Sequence, residues 1–386
     1  MKFAHLGDIH LGSWRYPELQ QLNLESFKKA IETCIKKPVD FVLIAGDLFD
    51  SAYPSIEILK ETFSELKKLK EAKIPVYIIA GSHDYSASGK TFLDVLEKAG
   101  FCKNIYNYEQ KPDCIILNPT LHENVAIYGY PGKKSSMEIQ ELKNLKLQDA
   151  PGFFKILMLH TTITGAKGSL PIDSIDESSL PAANYYALSH LHIDYADGNF
   201  VYSGPIFPNN FEELEELGGG SFYIIELEKS NFKLEKVSIK LKNLEVVDLE
   251  IKNALTATEQ IKFELGKRDL SNKIVILKLS GKLEQGKISN INFQEIEKFV
   301  KSKNAYCFIK STSKISSEEP TSIEVDNMED IETAIIKNYA SQNPSKFNNL
   351  IPNLINSLSL EKQEEEKAGV FEERLFSEIR KILNLN

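Results

Sequence analysis

The sequence predicts an α/β fold in which helices flank two sheets, and three observations lead to this prediction. Short apolar runs alternate with stretches of helical period over residues 1–240. One of those stretches, residues 56–72, has apolar residues three and four positions apart. Further apolar runs are predicted to form strands of a second sheet. The runs of the main pattern are 41–45, 76–80, 156–159 and 185–188, and those assigned to the second sheet are 125–130, 200–202, 221–227 and 234–239.

Beyond residue 240 the sequence predicts three further segments. Residues 244–311 have the pattern strand, helix, strand, helix, strand, which indicates a small α/β unit. Residues 312–327 are rich in Ser and Glu and favour a linker. Residues 328–386 carry apolar residues at helical spacing, with Pro344 and Pro352 expected near helix starts, where a missing N–H costs little.

Composition limits the class of protein. The chain has 386 residues, of which 42% are hydrophobic and 26% charged, as is ordinary for a globular protein of two or three domains. No apolar run approaches the roughly 18 residues of a membrane span, and the start does not resemble a signal peptide. Four cysteines without metal or disulfide spacing suit the cytoplasm. The net charge of −9 argues against a broadly basic surface, yet bound divalent ions could still meet a phosphate.

Aspartate and histidine residues follow the apolar run 3–6 and the four runs of the main pattern within a few positions. Because ligands bind at the carboxyl ends of strands in an open α/β sheet, we expect these side chains at one rim. Alternate residues at the end of a strand point to the same side, so Asp-x-His and His-x-His pairs can face one metal cluster. The residues are Asp8, His10, Asp47, Asp50, His83, Asp84, His160, His190 and His192.

Mixed imidazole and carboxylate ligands suit Mn²⁺, Fe²⁺ or Zn²⁺. A carboxylate such as Asp47 can bridge two ions roughly 3.5–4 Å apart, the spacing of two-metal phosphoesterases. A single Asp or His after a strand is usually a cap or a solvated loop residue, but five compatible placements favour a metal centre. His5 and His122 lack this setting, and we interpret both as structural or surface residues.

These motifs resemble the five motifs of the calcineurin-like metallophosphoesterases. More narrowly, the opening HLGDIHLG, the IAGDLFD segment, the appended unit and the helical tail resemble the SbcD or Mre-eleven nucleases in their archaeal form. The resemblance is strong over the first 205 residues and rests mainly on organisation after residue 240. The motifs are Asp8-x-His10, Gly46-Asp47-x-x-Asp50, Gly81-Ser82-His83-Asp84, His160 and His190-x-His192.

The resemblance implies two metal sites that share one carboxylate, with two Mn²⁺ per subunit, although other divalent metals would also suit them. It implies that His83 lies over the phosphate, stabilises the transition state and helps to protonate the leaving 3′ oxygen. Asp50 and Asp84 are given supporting roles. The implied ligands are Asp8, His10, Asp47 and His192 for the first metal, and Asp47, Ser82, His160 and His190 for the second.

Two residues depart from the family's pattern. Ser82 stands where the third motif usually has an Asn that ligates through its carbonyl oxygen, and Ser189 stands where the fifth motif usually has Gly. A hydroxyl is a weaker neutral ligand than an amide oxygen. Both natural variation within a branch of the family and an engineered substitution would explain Ser82. Asp50 is a His in some members of the family.

The resemblance implies a manganese-dependent DNA endonuclease and 3′-to-5′ exonuclease that processes DNA ends in double-strand-break repair. One alternative is a metallophosphoesterase that acts on small phosphoesters, which would have little need of the residues after 240. A second alternative is a catalytically weak scaffold of the same complex, which Ser82 and Ser189 would favour.

Three contacts with partners are also expected. Trp14, Arg15 and Tyr16 follow the first motif on a predicted surface loop, where they could stack on and pair with DNA; packing of Trp14 against its own loop is the alternative. The resemblance implies a capping role on DNA for residues 244–311. It also implies that the tail binds a coiled-coil ATPase of the SbcC or Rad-fifty type, unless its helices cover one another or the capping unit.

A homodimer is implied as well. Residues 56–72 and 91–99 lie where the family forms a four-helix contact between two nuclease domains. Its apolar centre would come from Phe63, Leu66, Phe92 and Leu96. The same periodicity fits ordinary packing against the sheet.

Overall fold

In the computed structural model, the described residues are 1–85, 91–228, 231–317, 345, 348–358 and 368–383. Strands and helices alternate over the first half of the chain. The strands are β1 Lys2–Leu6, β2 Phe41–Ile44, β3 Val76–Ile78, β4 Lys103–Asn104, β5 Tyr108–Gln110, β6 Ile115–Leu117, β7 Thr120–His122, β8 Val125–Tyr130, β9 Leu145–Leu147, β10 Phe154–His160, β11 Tyr185–Ser189, β12 Asp194–Asp197, β13 Phe200–Ser203, β14 Gly220–Glu228, β15 Asn231–Ile239, β16 Asn243–Glu250, β17 Lys273–Leu283 and β18 Cys307–Ser317. The helices before residue 318 are α1 Pro17–Lys36, α2 Ile56–Glu71, α3 Phe92–Lys98, α4 Glu138–Leu142, α5 Phe211–Leu217, α6 Ala254–Gly266 and α7 Phe293–Ser302.

Helix starts follow local chemistry. Pro17 occupies the first turn of α1, where its missing N–H leaves no donor unpaired. Ser55 caps α2 by accepting the N–H of Ile58. At the start of α3, Thr91 accepts the N–H of Leu93 while Asp94 accepts the N–H of Thr91, which forms a capping box.

Two six-stranded sheets form a sandwich, which confirms the predicted fold class. The first has the order β15-β14-β1-β2-β3-β4 and the second β12-β13-β11-β10-β8-β7. Alternate side chains of β2 point to opposite faces: Phe41 and Leu43 meet the second sheet, whereas Val42 and Ile44 pack under α1, α2 and α3. This alternation produces an apolar layer between the sheets and another beneath the helices.

The assignment of strands to sheets differs from the sequence prediction. Residues 221–227 and 234–239, assigned to the second sheet, belong to β14 and β15, which extend the first sheet by antiparallel pairing of β14 with β1. The second sheet instead contains β10 and β11. Periodicity shows that a segment is extended but does not show which distant strand it pairs with, so this error was inherent in the sequence pattern.

The helices α2 and α3 pack mainly on their own sheet. Leu66 and Leu96 are fully buried in the core of the same chain, and Phe63 and Phe92 lie partly buried against it. Leu66 and Leu96 are therefore unable to supply the centre of a dimer contact, and that part of the prediction is wrong. Their spacing reflects packing against the sheet.

The residues after 240 form the small unit in the predicted order of elements. Parallel strands β16, β17 and β18 share a core with α6 and α7. The predicted start of the linker at residue 312 is wrong, because β18 continues to Ser317 and pairs with the end of β17. An edge strand exposes one side to water, so the polar composition of residues 311–317 is compatible with a strand. The rest of the predicted linker lies outside the described residues.

Two helices are described in the tail, Ile351–Leu358 and Ala368–Leu383, and they lie against each other. Pro352 is the second residue of the first helix, as predicted. Pro344 and the rest of residues 318–344 lie outside the described part of the chain. In the described part, no helix is both long and apolar enough to cross a membrane.

Candidate metal centre

The motif residues lie just beyond the ends of strands, in an uncommon backbone conformation. Asp8, His10, Asp47, His190 and His192 have φ of 48°, 46°, 51°, 112° and 54°, and they are five of the ten non-glycine residues with positive φ in the described segments. Such conformations cost energy for L-residues and concentrate at functional sites. The prediction that Asp8 and His10 face one side through strand alternation is therefore right in outcome and wrong in cause.

The predicted ligands come from both sheets. Asp8, His10 and Asp47 follow β1 and β2 of the first sheet, whereas His160 ends β10 and His190 follows β11 of the second. The expected rim is thus the place where the ends of two facing sheets meet. Buried Asp47, 1% exposed, lies at its centre.

One oxygen of Asp47 faces two histidines. Its Oδ2 lies 3.5 Å from Nε2 of His10 and 3.2 Å from Nε2 of His160. Its Oδ1 accepts the backbone N–H of His83 at 2.8 Å. This arrangement is the one a bridging carboxylate requires, with one atom shared between two groups of ligands and the other held in place.

Three groups of ligand atoms lie in and beside the centre. Asp8, His10 and His192 form the first, Asp8, Asp47 and His160 form the second, and His10, Asp50 and His83 form the third, with the atoms of each group within 4.8 Å of one another. With metal–nitrogen bonds of about 2.1 Å, two ligand atoms of one ion lie about 3 to 3.5 Å apart. The Nε2 atoms of His10 and His192 are 3.0 Å apart. Nδ1 of His190, a predicted ligand outside these groups, is 3.1 Å from Nε2 of His160. The first group, and the second group with His190 added, therefore have spacings that fit divalent ions.

His83 lies at the rim of the centre, with 46% of its side chain exposed. Its ring packs edge-on against the His10 ring, with 4.7 Å between the ring centroids. Its Nδ1 lies 2.9 Å from the backbone oxygen of Asp50. Because a carbonyl oxygen only accepts, Nδ1 carries the proton in this contact and Nε2 is left for another partner. The position suits a group that meets the substrate.

Asp50 and Asp84 support this geometry in different ways. Asp50 places Oδ1 3.4 Å from Nδ1 of His10 and 3.7 Å from Nδ1 of His83. The buried carboxylate of Asp84 accepts the backbone N–H groups of Leu48, Phe49 and Gly81, which ties the second motif to the third. Burial and the neighbouring Asp47 raise the pKa of Asp84 to about 7 against those three hydrogen bonds.

The hydroxyl of Ser189 forms hydrogen bonds with two groups beside the centre. Its hydroxyl donates to the backbone oxygen of Ala45, and Nδ1 of His160 lies 2.9 Å from that hydroxyl and 3.2 Å from the same carbonyl. The carbonyl only accepts, so Nδ1 of His160 carries the proton and Nε2 faces Asp47. The departure from Gly therefore adds a hydrogen-bond partner to a predicted metal ligand. Ser82 lies in the turn before His83 and is half-buried.

Of the residues expected to contact DNA, Trp14 fixes its own loop. Its indole N–H donates to the backbone oxygen of Pro208 at 2.8 Å, and its ring packs beside Leu19 and Leu22. Arg15 and Tyr16 are exposed. The structure therefore favours the packing interpretation for Trp14 and leaves its two neighbours available.

The two histidines set aside by the sequence pattern are structural. His5 is fully buried with Nδ1 2.9 Å from the hydroxyl of Tyr185, and burial lowers its pKa to about 3. His122 contacts the hydroxyl of Tyr77 at 2.9 Å. Neither lies in a ligand group of the described residues.

Sequence reasoning missed Glu213. This residue lies on α5, and its Oε1 is 2.9 Å from Nδ1 of His192. The available signal was Asn210 followed three residues later by an acidic residue, which predicts only the start of a helix. No local pattern connects that helix to a histidine about twenty positions earlier.

The histidines of the centre differ in pKa. Burial alone would lower the pKa of His160 and His192, but Asp47 beside the first, and Asp8 and Glu213 beside the second, reverse the shift and raise both to about 9. Burial and the charge of His160 lower the pKa of His190 to about 4. At neutral pH the metal-free centre therefore holds protons on two of its ligands.

We expect Mn²⁺ affinity to rise with pH as a consequence. A histidine must be neutral to bind a metal, so His160 and His192 would each lose a proton on binding the two predicted ions. Affinity should increase between pH 7 and 9 and level off above that range. Calorimetric titrations at pH 7 in two buffers of different ionisation enthalpy measure the protons released. The same apparent enthalpy in both buffers would contradict the assignment of these protons.

Comparison with known proteins places these observations in a family. The calcineurin-like phosphoesterase family, whose members use divalent metal ions, matches residues 1–194. DNA double-strand break repair protein Mre11 of Methanocaldococcus jannaschii is 31% identical over 277 residues, 68% of this chain and 72% of that protein. Its namesake in Archaeoglobus fulgidus is 28% identical over 75% of this chain and 71% of that protein. A third, from Sulfurisphaera tokodaii, is 28% identical over 88% and 87%. The chain therefore belongs to the calcineurin-like phosphoesterase family and, within it, to the Mre11 group.

Proposed function

We propose that this phosphodiesterase is a manganese-dependent DNA nuclease, with 3′-to-5′ exonuclease and endonuclease activity, that processes DNA ends in double-strand-break repair. The observation that carries the proposal is the pair of ligand groups that share Asp8, one of which contains Asp47, with His83 at their rim. The printed function of the Mre11 relatives supports the choice of DNA as substrate. Four free cysteines support work in the cytoplasm.

The residues of the centre are proposed to have different roles in the reaction. When bound, the ions supply the positive charge that activates a water for in-line attack on phosphorus and offsets the charge of the phosphate. Asp47 holds both ligand groups in register, since its Oδ1 is fixed by the N–H of His83. Protonated His83 would stabilise the transition state and give a proton from Nε2 to the leaving 3′ oxygen. The proposed ligands are Asp8, His10, Asp47 and His192 for one ion, and Asp47, Ser82, His160 and His190 for the other.

Both alternatives are less well supported. A small-phosphoester enzyme would have no evident use for the unit 244–317, which packs against α1 and α5 through Ile274 and Ile276 and is proposed to cap the DNA. The weak-scaffold alternative depended on Ser82 and Ser189. Ser189 contributes a hydrogen bond to His160, so only Ser82 still favours that alternative.

Ser82 gives the second ion a poorer neutral ligand than the usual Asn. We expect the wild-type protein to need a higher Mn²⁺ concentration for activity than a protein whose two sites bind Mn²⁺ equally well would need. Ser82→Asn should lower the Mn²⁺ concentration for half-maximal activity several-fold. Cleavage rates over a Mn²⁺ series measure this, with exposed Ser51→Asn as a matched control. An unchanged or higher Mn²⁺ requirement for Ser82→Asn would show that the surrounding turn already compensates.

The helical tail is proposed to bind a coiled-coil ATPase of the SbcC or Rad-fifty type. Leu358 and Phe376, on the two described tail helices, are 64% and 58% exposed, although these helices also lie against each other. Each apolar side chain buried in a helix-in-groove contact would contribute about 1.5–3 kcal/mol before ordering costs.

Removing the tail is expected to separate the two activities. A chain that ends at Ser317 keeps β18 whole and should retain nuclease activity, whereas it should lose the ATPase in a pull-down. A chain ending near residue 309 would cut β18 and is unsuitable. Retention of the ATPase at the full-length level by the chain ending at Ser317 would rule out the tail as the main tether.

A homodimer is also proposed, with a different apolar centre from the one the sequence suggested. Phe63 and Phe92 remain partly accessible, and Val95 on α3 is 47% exposed. At the start of α2, Ile56 is 79% exposed. Light scattering at tens of micromolar protein measures the mass, and a monomer there would count against the dimer.

A further inference from the structure

The side chain of His192 is held from a helix that follows it in the chain. Nδ1 of His192 lies 2.9 Å from Oε1 of Glu213, and both side chains are largely buried, at 18% and 17% exposed. A carboxylate only accepts, so the proton of the neutral ring lies on Nδ1 and Nε2 is unprotonated. That Nε2 is 3.0 Å from Nε2 of His10, on the side of the ligand group.

Glu213 itself is fixed at both oxygens. Its Oε2 accepts the backbone N–H of Asn209 at 2.8 Å, and its Oε1 also accepts from Nδ2 of Asn210 at 2.5 Å. The backbone N–H of Glu213 donates to Oδ1 of Asn210 at 3.0 Å, which caps the helix. The carboxylate therefore has one orientation, set before any metal binds.

The helix that carries Glu213 is itself anchored on its other side. Buried Leu214 packs with Ile276 of β17 in the core shared with the small unit. Glu215 forms an ion pair with Lys278 of β17, with Oε1 2.8 Å from Nζ. A carboxylate on such a supported element can impose a geometry on its partner, whereas one on a free loop would follow it.

From these contacts we propose that Glu213 is a positioning residue, which sets the tautomer and ring orientation of His192 so that Nε2 faces the first ion. The inference rests on the proposed metal centre and goes beyond it, because neither the motifs nor the resemblance assigns a role to Glu213. Carboxylate–histidine pairs behind a metal affect its affinity because they fix the ring and increase its basicity.

Two variants of Glu213 and one control variant of its neighbour Glu212 test the positioning role. Glu213→Ala removes the acceptor. Glu213→Gln keeps the shape and one acceptor oxygen but places an amide N–H₂ where the other oxygen of Glu213 accepts a hydrogen bond. Exposed Glu212→Gln on the same helix is the matched control. Nitrogen-15 spectra of the His192 ring in the metal-free protein at about pH 10, above the His192 pKa of about 9, report the tautomer of the neutral ring, and calorimetry with Mn²⁺ alone reports affinity. Circular dichroism confirms that each variant is folded.

We expect Glu213→Ala to weaken binding of one Mn²⁺ by about 10- to 100-fold and to mix the His192 tautomers. Glu213→Gln should lie between Glu213→Ala and wild type, and Glu212→Gln should match wild type. Wild-type affinity and an unchanged His192 spectrum in Glu213→Ala would overturn the role. If Glu213→Ala does not fold, the same two measurements on Glu213→Gln decide the matter. Failure of the wild-type protein to bind Mn²⁺ at all would instead overturn the proposed function.

Discussion

Replacing His83 by glutamine is expected to lower the rate of DNA cleavage by about 10²- to 10⁴-fold, the usual contribution of general acid catalysis. Mn²⁺ affinity should stay close to that of the wild-type protein. The reason is geometric: His83 lies at the rim with its Nδ1 2.9 Å from the backbone oxygen of Asp50. It belongs only to the third ligand group, with His10 and Asp50, and not to the two groups that contain Asp8. Glutamine can still donate a hydrogen bond but cannot transfer a proton at neutral pH.

A nuclease assay and a calorimetric titration on the same His83→Gln sample measure both effects. His122→Gln is the control, since His122 contacts Tyr77 away from the centre and should leave cleavage and metal binding unchanged. Cleavage by His83→Gln at the wild-type rate would exclude the proposed acid. Loss of Mn²⁺ binding would place His83 among the ligands.

The second large effect is expected from Gly81→Ala. A Cβ at Gly81 would lie 2.1 Å from Oδ1 of Asp47 and 2.4 Å from its backbone nitrogen. The backbone of Asp47 cannot move away freely, because its oxygen accepts the N–H groups of Ile9 and His10. The carboxylate of Asp47 must therefore shift, and a displacement of about 1 Å can cost about 10²-fold in rate.

Because Asp47 is proposed to serve both ions, Gly81→Ala should weaken both Mn²⁺ sites, unlike Ser82→Asn or Glu213→Ala, which are each expected to act on one. Calorimetry and cleavage rates measure this change. Gly266→Ala is the control, since its Cβ would make ordinary contact with Phe299 at 3.6 Å. Two unaltered Mn²⁺ sites in folded Gly81→Ala would mean that the carboxylate does not need the space left by this glycine.

The sequence predicted which residues meet at the centre better than it predicted the pairing of the strands that carry them. Asp8, His10 and Asp47 can be identified in the sequence because each follows an apolar run in a short motif. Local patterns of this kind can be recognised without knowledge of the fold. Which sheet holds β10 or β14 depends on pairing between distant strands, which no local pattern encodes. The two-sheet sandwich was therefore predictable, whereas the membership of each sheet was not.

The residues that hold the ligands in place were the least predictable. Glu213 contacts His192, about twenty positions earlier in the chain, and in the sequence it appears only as part of an ordinary helix start. Ser189 looked like a weakness because the usual residue is Gly, yet its hydroxyl joins His160 to the carbonyl of Ala45. In both cases the missing information was a contact between elements, which a sequence pattern does not contain.

The central claim, that this centre cuts DNA with the help of Mn²⁺, is tested most directly by one assay on the purified full-length protein. End-labelled duplex and single-stranded DNA are incubated with Mn²⁺, with Mg²⁺ or with EDTA, and the products are resolved by length. We expect cleavage with Mn²⁺, none with EDTA, and loss of the Mn²⁺-dependent products with His83→Gln. Intact DNA in every Mn²⁺ lane, or equal cleavage in the presence of EDTA, would contradict the claim.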